Sequence, residues 1–312
     1  MNILFLSLGN KLDYQCDCLF HGINALPGVT VYTVNDYWYV FEGNKPDDLL
    51  RQYGMGFTIT NRVPKEKKHL HTFKQAQEHI KSHFYDVIIY GSIYRCELFI
   101  DDVLKNYSKD QIVFVDGEDH DFSLIFYKWH KKYFRSQKLF LENRKVALSL
   151  YSKGLFFKRE LREKDRKYFK PISFAIPSEN IVSKVPAKSI EMATMIPGDK
   201  RTYIYKNESD YNNGYQMAKF GTTFKKSGWD CMRHYEILAN GCIPYFPGIE
   251  KLPSTTMVNF PKTILLETNR LCESGAFTDS VYEYYCNMLL SYTREYLSTT
   301  NLAEYVLSFC KK

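Results

Sequence analysis

Residues 225–247 read KKSGWDCMRHYEILANGCIPYFP and follow directly on Gly221–Phe224, GTTF. The four residues before the stretch suit a strand, and 225–229 is a polar loop containing Gly228. From Asp230 to Asn240 the apolar residues recur at helical spacing, with Asp230 placed to cap the start and Gly241 to follow the end. Ile243–Phe246 then suits a second strand. Strand, glycine-bearing loop, helix, strand is the repeating unit of a parallel α/β sheet. The loop and helix start offer backbone N–H groups and a positive dipole end, which together attract anions. Arg233 and Glu236 lie three apart and share a helix face. Such a guanidinium suits diphosphate charge, and such a carboxylate can accept two sugar or ribose hydroxyls.

The same alternation extends in both directions. Upstream, Ile3–Leu6, Val29–Val34, Asp86–Tyr90 and Gln111–Val115 are short apolar runs ending near turn residues, as expected of strands buried on both faces. Helical patterns fit 70–84 and 97–107. After Pro171, strands are expected at 202–205, 221–224, 243–246 and 263–266, with helices at 209–219 and 230–240. Two amphipathic helical patterns fill 279–310, broken near Ser298-Thr299-Thr300. The expected fold is α/β, with two Rossmann-like domains facing a cleft: residues 1–172 and residues 173–312, the terminal helices packing back on the first.

Composition narrows the function. The 312 residues are 45% hydrophobic and 25% charged, enough to bury large cores and too apolar for disorder. Aromatics reach 16%, which suits packed sheets and stacking surfaces. No apolar run approaches the ~18 residues of a membrane span. The first residues, MNILFLSLGNKLDY, lack a basic leader and read as a buried strand, so a cytoplasmic protein is expected. The eight cysteines form no CxxC pair; reduced thiols, no structural zinc and no bound metal are expected.

Charge is concentrated in one place. Lys128 to Lys170 holds 15 Lys or Arg against Glu142, Glu160, Glu163 and Asp165, while the whole chain carries only +7. The stretch is either a solvated helix face or a surface for diphosphate, nucleic acid or acidic lipid.

The run R-H-Y-E-I-L-A-N-G-C-I-P-Y from Arg233 resembles the donor-binding segment of GT-B glycosyltransferases, R-x-x-E followed by G-x-x-P. It is most similar to exostosin-like and spore-coat CgeB-like members, which share the Gly-Cys-Ile-Pro ending. Val115–His120 (VDGEDH) and Phe157–Glu160 (FKRE) are similar to CgeB-like segments less specifically. The resemblance covers about a third of the chain, and residues 10–85 have no part in it.

It implies a glycosyltransferase using a UDP- or GDP-linked sugar as co-substrate, without resident cofactor or metal, on a hydroxyl acceptor such as a glycan. Arg233 with Lys225 or Lys226 would neutralise the phosphates, Ser227-Gly228 would approach them through backbone, and Glu236 would bind ribose or sugar. His234 is either a donor contact or a buried structural histidine. Lys158 and Arg159 would help from across the cleft or form a solvated pair. Asp116, Glu118, Asp119 and His120 are candidates for the base that deprotonates the acceptor, since clustered carboxylates raise one another's pKa. A cation site or a capping turn are the other readings of that cluster. A nucleic-acid-binding protein using 128–170, a transferase acting on modified DNA bases and an inactive transferase-like scaffold remain the alternatives.

Overall fold

The computed structural model describes residues 1–121 and 152–311. Seven strands form the first sheet: β1 Asn2–Leu6, β2 Thr30–Thr33, β3 His69–Leu70, β4 Val87–Tyr90, β5 Ile112–Asp116, β6 Leu155–Lys158 and β7 Lys170–Pro171. Their spatial order is 3-2-1-4-5-6-7 and every pairing is parallel. Strands β4, β5 and β6 are buried at every position, the consequence of helices covering both faces. The order reverses between β1 and β4, so the carboxyl ends of those strands flank the crevice where such sheets bind ligands.

Helix α1, Tyr14–Ala25, leaves β1 through a loop whose Asp13 carboxylate accepts from the Cys16 N–H. It is buried nearly all round. On the outer side of the sheet lie α2, Phe73–Lys81, and α3, Ile100–Asn106. Thr72 and Gln75 close the start of α2 with a reciprocal capping box.

The second sheet has three parallel strands, β8 Ile190–Met192, β9 Ala218–Thr222 and β10 Ile243–Tyr245, in the order 10-9-8. Around it run α4 Glu208–Gln216, α5 Met232–Ala239, α6 Lys262–Glu273 and α7 Asp279–Tyr296. Helix α8, Thr299–Leu307, returns to α1. A Cβ on Gly22 would sit 1.9 Å from the Thr299 carbonyl oxygen, so the two helix backbones touch there. One continuous apolar core joins Ile3, Phe5 and Leu19 of the first sheet's layer to Phe220, Tyr235 and Leu289 of the second's.

The architecture is α/β with two Rossmann-like parallel sheets, as expected. Two expected strands are absent. Thr263–Leu266 lies inside α6, where Leu265, Thr268 and Asn269 are buried at helical spacing. Residues 203–205 form no strand; Tyr203 and Ile204 are exposed after a short 3-10 turn at Lys200–Thr202. The strand expected at 221–224 begins three residues earlier, at Ala218. Strands β3, β6, β7 and β8 had no counterpart in the sequence reading.

Candidate functional site

The loops at the carboxyl ends of β5, β6 and β9 meet. Asp116 closes β5 and Lys158 closes β6, opposite each other in register. Lys158 Nζ donates to Asp116 Oδ2 at 3.0 Å and to the His120 carbonyl at 2.8 Å. Asp116 Oδ1 accepts the Glu118 N–H at 3.2 Å. Both side chains of the ion pair are at most 1% exposed. Asp116 therefore pins the turn 116–120 from within and is no acceptor base: it is sealed from solvent and neutralised. Lys158 is equally committed.

Arg159 is the bracket between the two sheets. Its Nε and Nη2 donate to the Gly117 carbonyl at 3.0 and 2.8 Å, and Nη2 also pairs with Asp119. Nη1 donates to the Asp230 carbonyl at 2.7 Å, and the guanidinium lies over the Phe174 ring. The Asp230 N–H donates to Glu160 Oε1 at 2.9 Å. Arg159 is thus buried and saturated by protein groups, neither solvated nor free for a ligand. A Cβ on Gly228 would fall 2.5 Å from Glu160 Oε1 and 3.3 Å from the Asp119 carbonyl, so only glycine lets the 225–229 loop reach this junction. The 225–229 loop and the acidic turn after β5 are neighbours.

The carboxylates of that turn face cations rather than one another. Glu118 accepts from Arg95 Nη2 at 2.9 Å, while Arg95 Nη1 pairs with Asp13 at 2.6 Å. Asp119 holds Arg159 yet its side chain remains 58% exposed. His120 contributes its carbonyl to Lys158.

Helix α5 starts differently from the expectation. Cys231 is its N-cap residue, with no side-chain hydrogen bond. Asp230 instead accepts the Phe174 N–H at 2.8 Å and the Tyr235 hydroxyl at 3.0 Å, tying the helix to the chain after β7. Burial pushes the Asp230 pKa up to about 7, with Arg159 opposing the shift. Gly241, at φ +60, follows the helix end as expected.

His234 is a packing residue, not a donor contact. Its Nε2–H donates to the Trp229 carbonyl at 2.8 Å, which leaves Nδ1 to accept the Thr223 hydroxyl at 2.8 Å. The ring stacks on Phe246, and burial drives its pKa down to about 3. It fastens the 223–229 loop to the helix. On that loop Lys225, Lys226 and Ser227 are exposed, and the Lys225 ammonium stands 5.3 Å over the Trp229 ring.

Arg233 and Glu236 occupy the opposite flank of α5. The Glu236 carboxylate is buried and accepts from two hydroxyls, Thr58 on one oxygen and Tyr211 on the other. Burial raises its pKa. The Nε and Nη1 atoms of Arg233 are buried without a hydrogen-bond partner among the described residues. Burial disfavours its cation, but Cys231, Tyr211, Tyr215 and Glu236 around it hold its pKa above the usual value. Buried polar atoms are nearly always paired, so these two guanidinium donors are open to an acceptor from outside the described residues.

Thr58, Tyr211 and the Asp230–Glu160 contact were not among the residues read from the sequence. Tyr211 lies on an expected helix, but its reach to Glu236 is a tertiary fact; Thr58 lies where no motif was recognised. Of the basic stretch, residues 128–151 lie outside the described residues. Within 152–170, Lys158 and Arg159 are internal, and Arg162 and Arg166 pair with Asp165 and Glu163. Among the described residues no helix is long and apolar enough to cross a membrane.

No family model matches the chain, and no curated protein matches it. Among solved structures, an α-glucosyltransferase in complex with UDP and a 13-mer DNA containing a HMU base aligns with a TM-score of 0.47 and 10% identity. The alignment covers 99% of this chain and 98% of that one. A likeness of that depth assigns neither activity nor substrate to this chain.

Proposed function

We propose that this protein is a metal-independent glycosyltransferase of the GT-B kind, related to exostosin-like and CgeB-like enzymes, that moves a sugar from a UDP- or GDP-linked donor to a hydroxyl acceptor. The observation that carries the reading is Arg233: a half-buried guanidinium whose buried Nε and Nη1 have no hydrogen-bond partner among the described residues, three residues from a carboxylate that already binds two hydroxyls. One diphosphate and one ribose or sugar diol would satisfy that pair. In this reading 173–312 holds the donor, with the exposed Lys225 and Lys226 adding positive charge and the Ser227-Gly228 backbone approaching the phosphates. The 1–172 part holds the acceptor.

The acceptor oxygen attacks the anomeric carbon, and the bond from that carbon to the phosphate oxygen breaks. The nucleoside diphosphate leaves with the electron pair, its charge met by Arg233. The acceptor proton passes to a carboxylate of the β5 turn. Asp119 is the proposed base because it is exposed and adjoins the 225–229 loop; Glu118 is the neighbouring carboxylate.

Calorimetric titration with UDP and GDP, followed by a nucleotide-sugar hydrolysis panel with and without EDTA, tests the proposal. Saturable binding and chelator-resistant turnover are expected. Salt-sensitive DNA binding with no nucleotide affinity would replace it with the nucleic-acid-binding alternative, and activity lost to EDTA would move the β5 carboxylates to a metal role.

A further inference from the structure

Residues 53–61 leave the first sheet's side, between β2 and β3, and end up inside the second sheet's territory. Phe57 inserts into the core formed by Ala193, Met195, Tyr211, Tyr215 and Ile237, with its ring 5.4 Å from that of Tyr211. Thr58 is anchored by every polar group it has. Its hydroxyl donates to Glu236, its N–H to Glu208 Oε1 at 2.9 Å, and its carbonyl accepts from Asn180 Nδ2 at 2.9 Å and Arg62 Nε at 3.2 Å. The backbone reaches this position through left-handed residues at Gly54, Met55, Gly56 and Thr58, with φ +80 at Thr58. A β-branched residue rarely adopts that conformation, and it persists only where its surroundings hold it.

The chemistry of the contact is specific. Glu236 binds one hydroxyl on each oxygen, Thr58 on Oε1 and Tyr211 on Oε2. A vicinal ribose diol presents the same pair of donors to a carboxylate. We infer that Thr58 is a built-in competitor for the diol of the nucleotide: the 53–61 strap occupies the Glu236 carboxylate and must yield when a nucleoside diphosphate seats on Arg233. This rests on the proposed donor site and adds to it a residue, from outside the helix motif, that sets affinity for ribose. The strained backbone at Thr58 favours release, and the Glu208 and Asn180 contacts give the strap a place to return to.

The test compares Thr58→Ala, which removes the hydroxyl and the β-branch, with Thr58→Ser, which keeps the hydroxyl. Each variant is checked for wild-type melting and then titrated with UDP, GDP and their 2′,3′-dideoxy counterparts. Thr58→Ala is expected to bind the ribose diphosphates about fivefold or more tightly than wild type, while Thr58→Ser stays within about twofold. The dideoxy ligands should show no such gain. Unchanged or weaker ribose binding by Thr58→Ala, or an equal gain for dideoxy ligands, overturns the competitor role. If wild type and both variants bind no nucleotide at all, the donor-site reading itself has failed, a result distinct from the first. A Thr58→Ala protein that melts early is replaced by Thr58→Gly, which suits the positive φ and removes the same hydroxyl.

Discussion

Arg233 is a half-buried charge and Asp116 a fully buried one, and they differ also in partnership. Asp116 has Lys158 at 3.0 Å and a backbone N–H, so its charge is balanced inside the protein. Replacing it by Asn leaves the Lys158 ammonium buried and uncompensated, and urea denaturation should show a loss of about 3–5 kcal/mol. Arg233 has no hydrogen-bond partner for Nε or Nη1 among the described residues, so Arg233→Ala breaks no internal hydrogen bond at those atoms. Its melting temperature should therefore stay near wild type. Nucleoside diphosphate affinity, read by calorimetry, should fall by about 1.5–3 kcal/mol, the scale of a lost charge-assisted hydrogen bond. An unfolded Arg233→Ala protein would make the residue structural and end the donor assignment. Asp119 belongs to neither class, being paired with Arg159 yet largely exposed. Asp119→Asn should leave donor affinity nearly unchanged and lower turnover roughly 100-fold, the scale for a general base. Turnover within a few-fold of wild type would remove Asp119 from that role. At this scale the spacing of Arg233 and Glu236 was legible from helical periodicity. Which of the charges would be spent on internal contacts was not, because Lys158 and Arg159 find their partners across elements far apart in the chain.

Elements whose apolar residues face two layers announced themselves; those facing one were ambiguous. Strands β1, β4 and β5 are continuous apolar runs because helices cover both faces, and no other element has that signature so plainly. The run at 263–266 has the same look, yet it is one stripe of a helix, since its burial continues at Thr268 and Asn269. Strand β6 was overlooked because Lys158 ends it, and a lysine reads as surface until a buried aspartate stands opposite. Helix α1 escaped notice because it is buried nearly all round and so lacks a polar face to set its period. Its contact with α8 yields a prediction at this scale. Gly22→Ala places a methyl 1.9 Å from the Thr299 carbonyl, a rigid backbone atom, so the helices must separate. Overpacking of this kind costs about 1–3 kcal/mol, and the denaturation midpoint should drop accordingly. No shift in the midpoint would mean that α8 does not dock on α1 in solution.

For the molecule as a whole, two buried groups on α5 and the loop before it make stability depend on pH in opposite senses. Asp230 has a folded pKa of about 7 against an ordinary value of 3.8, so the folded state binds its proton more tightly. Its contribution is full below pH ~4 and is lost as pH rises through 7. His234 has a folded pKa of about 3 against 6.5, so the unfolded state binds the proton more tightly. Its contribution is full above pH ~6.5 and is lost as pH falls towards 3. Between pH 4 and 6.5 the two slopes oppose each other. Asp230→Asn should therefore leave a stability that climbs with pH across that window, measured by urea denaturation at each pH, while His234→Gln should leave one that declines. Identical profiles in wild type and both variants would refute the pairing. The sequence by itself determined the α/β class, strands β1, β2, β4 and β5 of the first sheet, the α5 helix with its Gly241 terminus, and the face shared by Arg233 and Glu236. Each of these depends on residues close together in the chain, where period and turn chemistry decide. Only the tertiary structure decided that Arg159 brackets the two sheets, that Asp116 is sealed, that Arg233 Nε and Nη1 lack a hydrogen-bond partner among the described residues and that Thr58 sits on Glu236. Those facts depend on which side chains meet across 40 to 180 positions of sequence, and local periodicity carries no information about pairs so far apart.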